Sequence, residues 1–130
     1  MGYELIPMEK PRPVMVHGLL GSEKDAGVNA ARWLRWRPTV AICQQPGLAV
    51  AHFRLLYQPR FEALFEVVRR DIEKVSPSTR VEGVPIDLAD PWDFEEVYEA
   101  LHAYCRPWRD DDAHDHLVHI TTGTHVCQIC

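Results

Sequence analysis

The chain has 130 residues, of which 46% are hydrophobic, and this composition is enough for one domain with a single core. Its 14 basic and 19 acidic residues give a net charge of -5, which excludes a broad basic surface that would attract nucleic acid. No apolar run is long enough for a membrane span and no secretory signal is evident, so we expect a cytoplasmic protein with reduced cysteines.

The first half of the chain predicts strand, helix and strand. Residues 13–20 form a short, β-branched apolar run that is typical of a buried parallel strand, and the glycine-bearing residues 21–29 predict a loop. Residues 30–45 fit a helix led by Pro38 about as well as a short strand, and we favour the helix. Residues 50–57 alternate as a second strand.

The second half continues this alternation. Apolar residues recur every three or four positions over residues 60–75 and predict an amphipathic helix. Residues 80–88 predict an edge strand because Pro85 lacks a backbone donor. Asp90 and Pro91 predict the start of a helix, and residues 116–121 a further strand. The predicted buried face of that helix contains Phe94, Val97, Tyr98, Leu101 and Tyr104. Alternating strands and helices favour parallel βαβ units.

The most informative local pattern is the sequence HITTGTH from His119 to His125. A strand that ends in hydroxyl residues and glycine, and is followed by a helix, places backbone amides and hydroxyls where anions bind. The same pattern is typical of a turn that only caps a helix, and the two interpretations have about equal weight.

The loop after the first strand is a second candidate, through Gly21, Ser22 and Asp25. In a doubly wound sheet it reaches the same edge as the Thr-Gly-Thr turn. It has neither the dinucleotide-binding spacing nor a P-loop, so ATP hydrolysis by this segment is not expected.

Arginine and tryptophan alternate in the sequence RWLRWR, residues 32–37. This combination is typical of single-stranded RNA binding, but also of a helix whose tryptophans enter the core. We favour the core interpretation for Trp33 and Trp36 and keep Arg35 and Arg37 as candidate phosphate contacts.

Histidines and cysteines near the end of the chain raise the question of a metal. His125, Cys127 and Cys130 lack a second ligand pair at structural-zinc spacing, so we expect no metal and no cofactor. His114, His116 and His119 would alternate on one face of a strand, beside aspartates that predict a solvated surface. A Ser-His-Asp arrangement stays open, although the G-x-S-x-G pattern is absent.

Five segments together resemble the N-terminal region of the RtcR family, sigma-54-dependent activators of RNA repair. They are residues 36–39, 43–45, 69–77, 91–98 and 119–125, and the resemblance runs from about Pro13 to the end of the chain. It implies a Rossmann-like, three-layer α/β sensor domain of the CARF type, with a mainly parallel sheet, over residues 13–130. Residues 1–12 would form an N-terminal extension without an assigned role. Residues 122–130 predict a tight turn that leads into a helix, and this helix is cut off at Cys130. We therefore expect a truncated chain that lacks the AAA+ and helix-turn-helix domains of the family.

The resemblance also implies a ligand, either an RNA end with a 2',3'-cyclic phosphate or a cyclic nucleotide. The family motif falls on Thr121, Thr122, Gly123, Thr124 and His125. Thr122 replaces a common glycine, and His125 replaces a common lysine, which is a stronger phosphate partner than a neutral histidine. Gly21, Ser22 and Asp25 correspond to the second ligand-contacting segment, with Arg35 and Arg37 as possible helpers. A homodimer is implied by the family.

Three functions therefore remain open. The first is a regulatory ligand-binding module that is not an enzyme and acts on the AAA+ domain of its parent protein. The second is a phosphodiesterase of the ring-nuclease kind, with His119 or His125 as acid and base. The third is a dimerisation domain without a ligand.

Overall fold

A computed structural model describes residues 12–130, so the predicted extension at residues 1–12 lies almost wholly outside the described residues. The described part contains a sheet of four parallel strands in the order β3-β2-β1-β4. The strands are β1 (Val14–Leu19), β2 (Val50–Tyr57), β3 (Arg80–Pro85) and β4 (Asp115–His119). The predicted edge position of β3 is confirmed, and the strand ends at Pro85.

Helices cover both faces of this sheet. They are α1 (Pro38–Ile42), α2 (Glu62–Val75), α3 (Phe94–Cys105) and α4 (His125–Ile129), with 3-10 turns at Ala30–Leu34, Pro59–Phe61 and Arg106–Trp108. On one face, α1 and α2 pack against a core centred on Phe53, Val68 and Ile72. On the other face, Val97 of α3 and Cys127 of α4 form a smaller cluster. The result is a three-layer α/β arrangement. None of the helices in residues 12–130 is long and apolar enough to cross a membrane.

Two predicted helices differ from the structure. Residues 30–45 contain a 3-10 turn and the short helix α1, which begins at Pro38 as predicted, instead of one continuous helix. Helix α3 begins at Phe94, not at Pro91, because the Asp93 carboxylate caps it by accepting the Glu95 amide at 3.1 Å. Asp90 accepts the Trp92 amide at 2.9 Å and so forms a turn before the helix.

The predicted buried face of α3 is wrong in part. Val97 is fully buried, but Phe94 and Tyr98 are 54% and 50% exposed. Their rings stack on each other at the surface, with centroids 6.0 Å apart. An apolar periodicity identifies the helix but does not show how much of its stripe the sheet covers.

The predicted burial of the two tryptophans in the Arg-Trp segment is wrong. Trp33 and Trp36 are 38% and 67% exposed, whereas Arg37 is only 3% exposed. The Asp71 carboxylate of α2 accepts hydrogen bonds from Arg37 at 2.6 Å and from Arg32 at 2.8 Å. This buried ion pair anchors the segment to α2, and the guanidinium of Arg37 lies 4.9 Å from the centre of the Trp33 ring.

Candidate functional site

The loop after β1 is organised by Asp25, which is completely buried. Its carboxylate accepts the backbone amide of Gly21 at 2.8 Å, the amide of Thr39 at 3.0 Å and the hydroxyl of Thr39 at 2.6 Å. The loop therefore closes on itself and is fixed to the start of α1. These bonds occupy both carboxylate oxygens, so Asp25 holds the loop in shape instead of facing a ligand.

The turn after β4 is fixed to its neighbours by its hydroxyl groups. Thr122 donates to the Leu19 carbonyl at the end of β1, and Thr124 donates to the Pro91 carbonyl at 2.8 Å. Thr124 also accepts the Cys127 amide at 3.2 Å, as the cap of α4. Gly123 has a φ of +91°, a conformation that favours glycine. Both hydroxyls therefore hold the turn to neighbouring segments of the fold.

The loop after β1 and the turn after β4 come into close contact at Gly21. A Cβ atom on this residue would stand 2.8 Å from Cγ2 of Thr122, which is closer than such contacts occur. Lys24 makes a second connection by donating from Nζ to the Thr121 carbonyl at 3.1 Å. The predicted convergence of the two segments at one sheet edge is therefore present in the structure, as the parallel topology requires.

A cavity of about 390 Å³ lies where these segments meet, and we call it the first cavity. It is formed by residues that follow the carboxyl ends of all four strands. Loop and turn contribute Gly21, Ser22, Glu23, Lys24, Thr122, Gly123 and Thr124. The last residue of β2 and the segments that follow β2 and β3 contribute Tyr57, Gln58, Arg60, Phe61, Ile86, Leu88, Pro91 and Trp92.

Charged and aromatic side chains give the first cavity its chemistry. Lys24 and Arg60 are exposed cations in its lining, and the Arg60 guanidinium lies 4.7 Å from the centre of the Phe61 ring. Tyr57 and Trp92 add aromatic surface, while Glu23 is the single acidic side chain in the lining. Two cations beside aromatic rings are suited to an anionic ligand that carries a flat base.

The structure brings half of the predicted site residues to the first cavity. Gly21, Ser22, Thr122, Gly123 and Thr124 line it. The other five, Thr121, His125, Asp25, Arg35 and Arg37, are outside its lining.

Each of those five residues has a different environment. Thr121 contacts Lys24 through its carbonyl, and the exposed His125 has its ring centre 6.3 Å from that of Trp92. Arg35 is exposed and donates to the Glu23 carbonyl at 3.1 Å. Arg37 is buried against Asp71, and Asp25 is buried among its own bonds within the loop. Because internal bonds enclose both side chains, neither is placed to contact a phosphate, and the prediction of these two contacts is corrected.

Sequence reasoning missed Lys24, Tyr57, Arg60 and Trp92. The positions of three of them indicate a possible site residue. Lys24 lies in the loop after β1, and Tyr57 and Arg60 lie at the carboxyl end of β2. In open parallel sheets, ligands bind at the carboxyl ends of strands. Trp92 lies further from its strand, and the sequence placed it within a helix.

A second cavity of about 450 Å³ shares Leu19, Leu56, Thr122 and Cys127 with the first. Its lining includes His17 of β1 and the buried His119 of β4. Burial, followed by the nearby His116, lowers the pKa of His17 to about 4, so this ring is neutral at pH 7. Burial also lowers the pKa of His119. His114, His116 and His119 do not share one strand face. Strand β4 begins after His114, and His116 and His119 are three positions apart, so their side chains point to opposite faces of the sheet.

Comparison with known proteins identifies the family. A family model described as "RtcR: Regulator of RNA terminal phosphate cyclase" matches residues 12–130. The chain belongs to the RtcR family. It is 47% identical over 121 residues to the transcriptional regulatory protein RtcR of Escherichia coli (strain K12). This match covers 92% of the chain but only 23% of the relative, so the chain spans about a quarter of that protein's length.

Solved structures confirm the predicted fold. Can2 from Sulfobacillus thermosulfidooxidans, in complex with cyclic tetra-adenylate, matches 89% of the chain and 27% of its own length, with a TM-score of 0.54 and 14% identity. Csm6 from Enterococcus italicus, bound to cyclic hexa-2'-fluoro-hexa-dAMP, matches 91% of the chain and 28% of its own, with a TM-score of 0.56 and 10% identity. The RtcR-family chain therefore has the Rossmann-like fold of CARF-domain proteins.

Proposed function

We propose that this chain is the ligand-sensing domain of a transcription regulator and that its first cavity binds a phosphate-bearing nucleotide. The ligand would be an RNA end with a 2',3'-cyclic phosphate or a related cyclic nucleotide. The observation that carries the proposal is the meeting of the β1 loop and the β4 turn at one cavity, where Lys24 reaches across to the Thr121 carbonyl at 3.1 Å.

The shape and charge of the first cavity support this ligand class. Its volume of about 390 Å³ is within the range of small-ligand sites. Lys24 and Arg60 supply the positive charge that a phosphate needs, and both side chains are exposed in the lining of the cavity. Tyr57 and Trp92 supply surfaces on which a base stacks.

The family and the fold give independent support. The Escherichia coli relative is a transcriptional regulatory protein, and the two structural neighbours hold cyclic oligonucleotides. In the proposal, residues 13–130 form the sensor domain, which acts in the cytoplasm as a homodimer and controls an AAA+ domain elsewhere in the parent protein. Residues 1–12 have no role in this proposal.

The structure favours binding over catalysis at this site. Of the two histidines considered as acid and base, His119 is buried in the lining of the second cavity, and His125 is outside the lining of the first. Neither is next to Lys24 and Arg60 in that lining. We therefore propose that the ligand is bound and left intact.

Fluorescence anisotropy with a labelled short RNA ending in a 2',3'-cyclic phosphate tests the proposal. The same RNA with a 3'-hydroxyl end and cyclic tetra-adenylate serve as competitors. We expect selective binding that weakens in Lys24→Ala and in Arg60→Ala but not in Lys74→Ala, an exposed lysine on α2 outside the first cavity.

Two results would contradict the proposal. Absence of binding by a folded protein would leave a dimerisation module as the better interpretation. Binding followed by release of a cleaved RNA or a linearised nucleotide would identify an enzyme. Chromatography of the recovered ligand distinguishes these results.

A further inference from the structure

A cluster of three side chains lies in the loop before β4 and at the start of that strand. Oδ2 of Asp111 is 2.9 Å from Nδ1 of His114 and 2.7 Å from Nε2 of His116. The three ligand atoms are all within 4.8 Å of one another. Among residues 12–130, no other group of three His, Cys, Asp or Glu side chains meets this criterion.

We propose that Asp111, His114 and His116 form a binding site for a divalent transition-metal ion of the zinc type. Two imidazole nitrogens and one carboxylate oxygen are a ligand set that suits zinc and leaves one tetrahedral position open. Zinc bonds of about 2.0–2.1 Å place tetrahedral ligands about 3.3 Å apart. The 2.7 and 2.9 Å separations from the Asp111 oxygen would need to widen by about half an ångström, and the two imidazole nitrogens, which lie within 4.8 Å of each other, would need to stand at the same tetrahedral spacing.

The cluster is partly enclosed, which distinguishes it from scattered surface histidines. The side chains of Asp111, His114 and His116 are only 20%, 27% and 23% exposed. Asp111 and His116 also line the second cavity, so a bound ion would lie at its wall. The partial burial limits competition from water for the ligand atoms and holds their side chains near one geometry.

The far side of His116 is held by a chain of hydrogen bonds. Its Nδ1 lies 2.8 Å from Nε2 of His17, whose Nδ1 lies 2.5 Å from the Tyr104 hydroxyl. Arg54 donates to the same hydroxyl at 3.2 Å. Metal-binding histidines are usually held through their second nitrogen in this way. With an ion on Nε2, the Nδ1–H of His116 would donate to His17.

Charges around the cluster favour a cation. The same segment contains three further aspartates, Asp110, Asp112 and Asp115, and all three are exposed. Arg109 lines the second cavity, and Arg54 stands at the end of the hydrogen-bond chain behind His116, where it is paired with Glu82. The three carboxylates beyond the ligand set outnumber these two arginines and so favour a divalent cation.

This inference differs from the expectation of no metal, which rested on His125, Cys127 and Cys130. Those residues are on or next to α4, and they do not form such a ligand group in the described chain. In the sequence, His116 follows His114 by two positions, and Asp111 precedes His114 by three. The aspartates of this loop instead predict a solvated surface, so the spacing of the three residues does not by itself indicate a metal site.

Competition with a chromophoric zinc chelator tests the site. We expect one zinc ion per protein molecule, with affinity reduced by about tenfold or more in His114→Ala and in His116→Ala. Mg²⁺ should not compete, because it prefers oxygen ligands. Cobalt substitution should give the absorption spectrum of a site with nitrogen and oxygen ligands and no thiolate.

Two control variants separate this site from other zinc ligands. His102→Ala removes an exposed histidine of α3, and the double variant Cys127→Ser with Cys130→Ser removes the thiols. Both should retain the zinc ion. His114→Gln in the loop is the second test variant in case His116→Ala fails to fold, with circular dichroism reporting folding. Zinc binding that persists in the His114 variants, or a folded wild-type protein that binds no zinc, would overturn the proposal.

Discussion

The carboxylate of Asp25 accepts two hydrogen bonds from Thr39, one from its backbone amide at 3.0 Å and one from its hydroxyl at 2.6 Å. Both residues are completely buried. They connect the loop after β1, which lines the first cavity, to the first turn of α1. The shape of the cavity therefore depends on a pair of residues outside its lining.

Replacement of Asp25 by Asn tests this dependence. The amide NH₂ would replace the oxygen that accepts the Gly21 amide at 2.8 Å, leaving two donors facing each other. We expect the free energy of unfolding to fall by about 2 kcal/mol, the cost of an unsatisfied buried group. Urea denaturation measures this loss.

A milder variant serves as the control for Asp25→Asn. Thr39→Ser retains the hydroxyl and should lose much less stability than Thr39→Val, which removes it. Equal stability of Asp25→Asn and the wild-type protein would show that the carboxylate is not needed to hold the loop.

The ion pair of Asp71 with two arginines gives a prediction about pH. Burial alone would raise the pKa of Asp71, but hydrogen bonds from Arg32 and Arg37 outweigh burial and hold this pKa below its ordinary value of 3.8. A carboxyl group with a lowered folded-state pKa stabilises the fold fully above its unfolded-state pKa of about 3.9. That contribution is lost as the pH falls through the lower folded-state value.

We therefore expect Asp71→Asn to lower the free energy of unfolding by about 3 kcal/mol at pH 7, because Arg37 is left buried without its partner. The difference from the wild-type protein should shrink as the pH falls below about 4. Urea denaturation across this pH range measures it. Glu73→Gln changes an exposed carboxylate of the same helix and should have little effect. A difference that stays constant with pH would contradict the assignment.

The sequence was sufficient to predict the sheet and the edge at which the first cavity lies. Residues 50–57 and 60–75 have clear strand and helix periodicity, and the structure has β2 and α2 there. Once these elements alternate, parallel topology brings every strand's carboxyl end to one edge. The meeting of Gly21 with Thr122 follows from this topology and needs no knowledge of side-chain packing.

The individual site contacts were less predictable, because they depend on partners distant in the sequence. Arg37 is buried by Asp71, which lies 34 residues away, and a hydrophobicity pattern places both charges in water. The hydroxyl of Thr122 bonds to the Leu19 carbonyl 103 residues earlier in the chain. Such long-range partners decide whether a polar side chain faces a ligand or holds the fold.

Trp92 provides a prediction about the base of the ligand. It is 62% exposed and lines the first cavity, so its ring is free to stack on a base. We expect Trp92→Ala to weaken binding of the cyclic-phosphate RNA by about 1–3 kcal/mol, the usual contribution of one stacked base. Fluorescence anisotropy measures the change.

Trp36 is the matched control for Trp92. It is similarly exposed, at 67%, but lies outside the lining of the first cavity. Trp36→Ala should leave RNA affinity unchanged. If the two variants weaken binding equally, the RNA lies along the Arg-Trp segment instead of in the first cavity.

Gly83 of β3 affects the first cavity indirectly, through the ring of Phe65. A Cβ atom at this position would stand 2.5 Å from Cζ of Phe65, so the absence of a side chain lets the Phe65 ring lie against the strand. Phe65 in turn stacks on Tyr57 of the cavity lining, with ring centres 4.4 Å apart. We expect Gly83→Ala to lower the free energy of unfolding by about 1–3 kcal/mol through overpacking, as measured by urea denaturation. Because the displaced ring pushes on Tyr57, RNA binding should weaken as well.

Phe65→Leu provides room for the new methyl group, so the double variant should lose less stability than the sum of the single variants. Additive losses would show that the two residues do not press on each other.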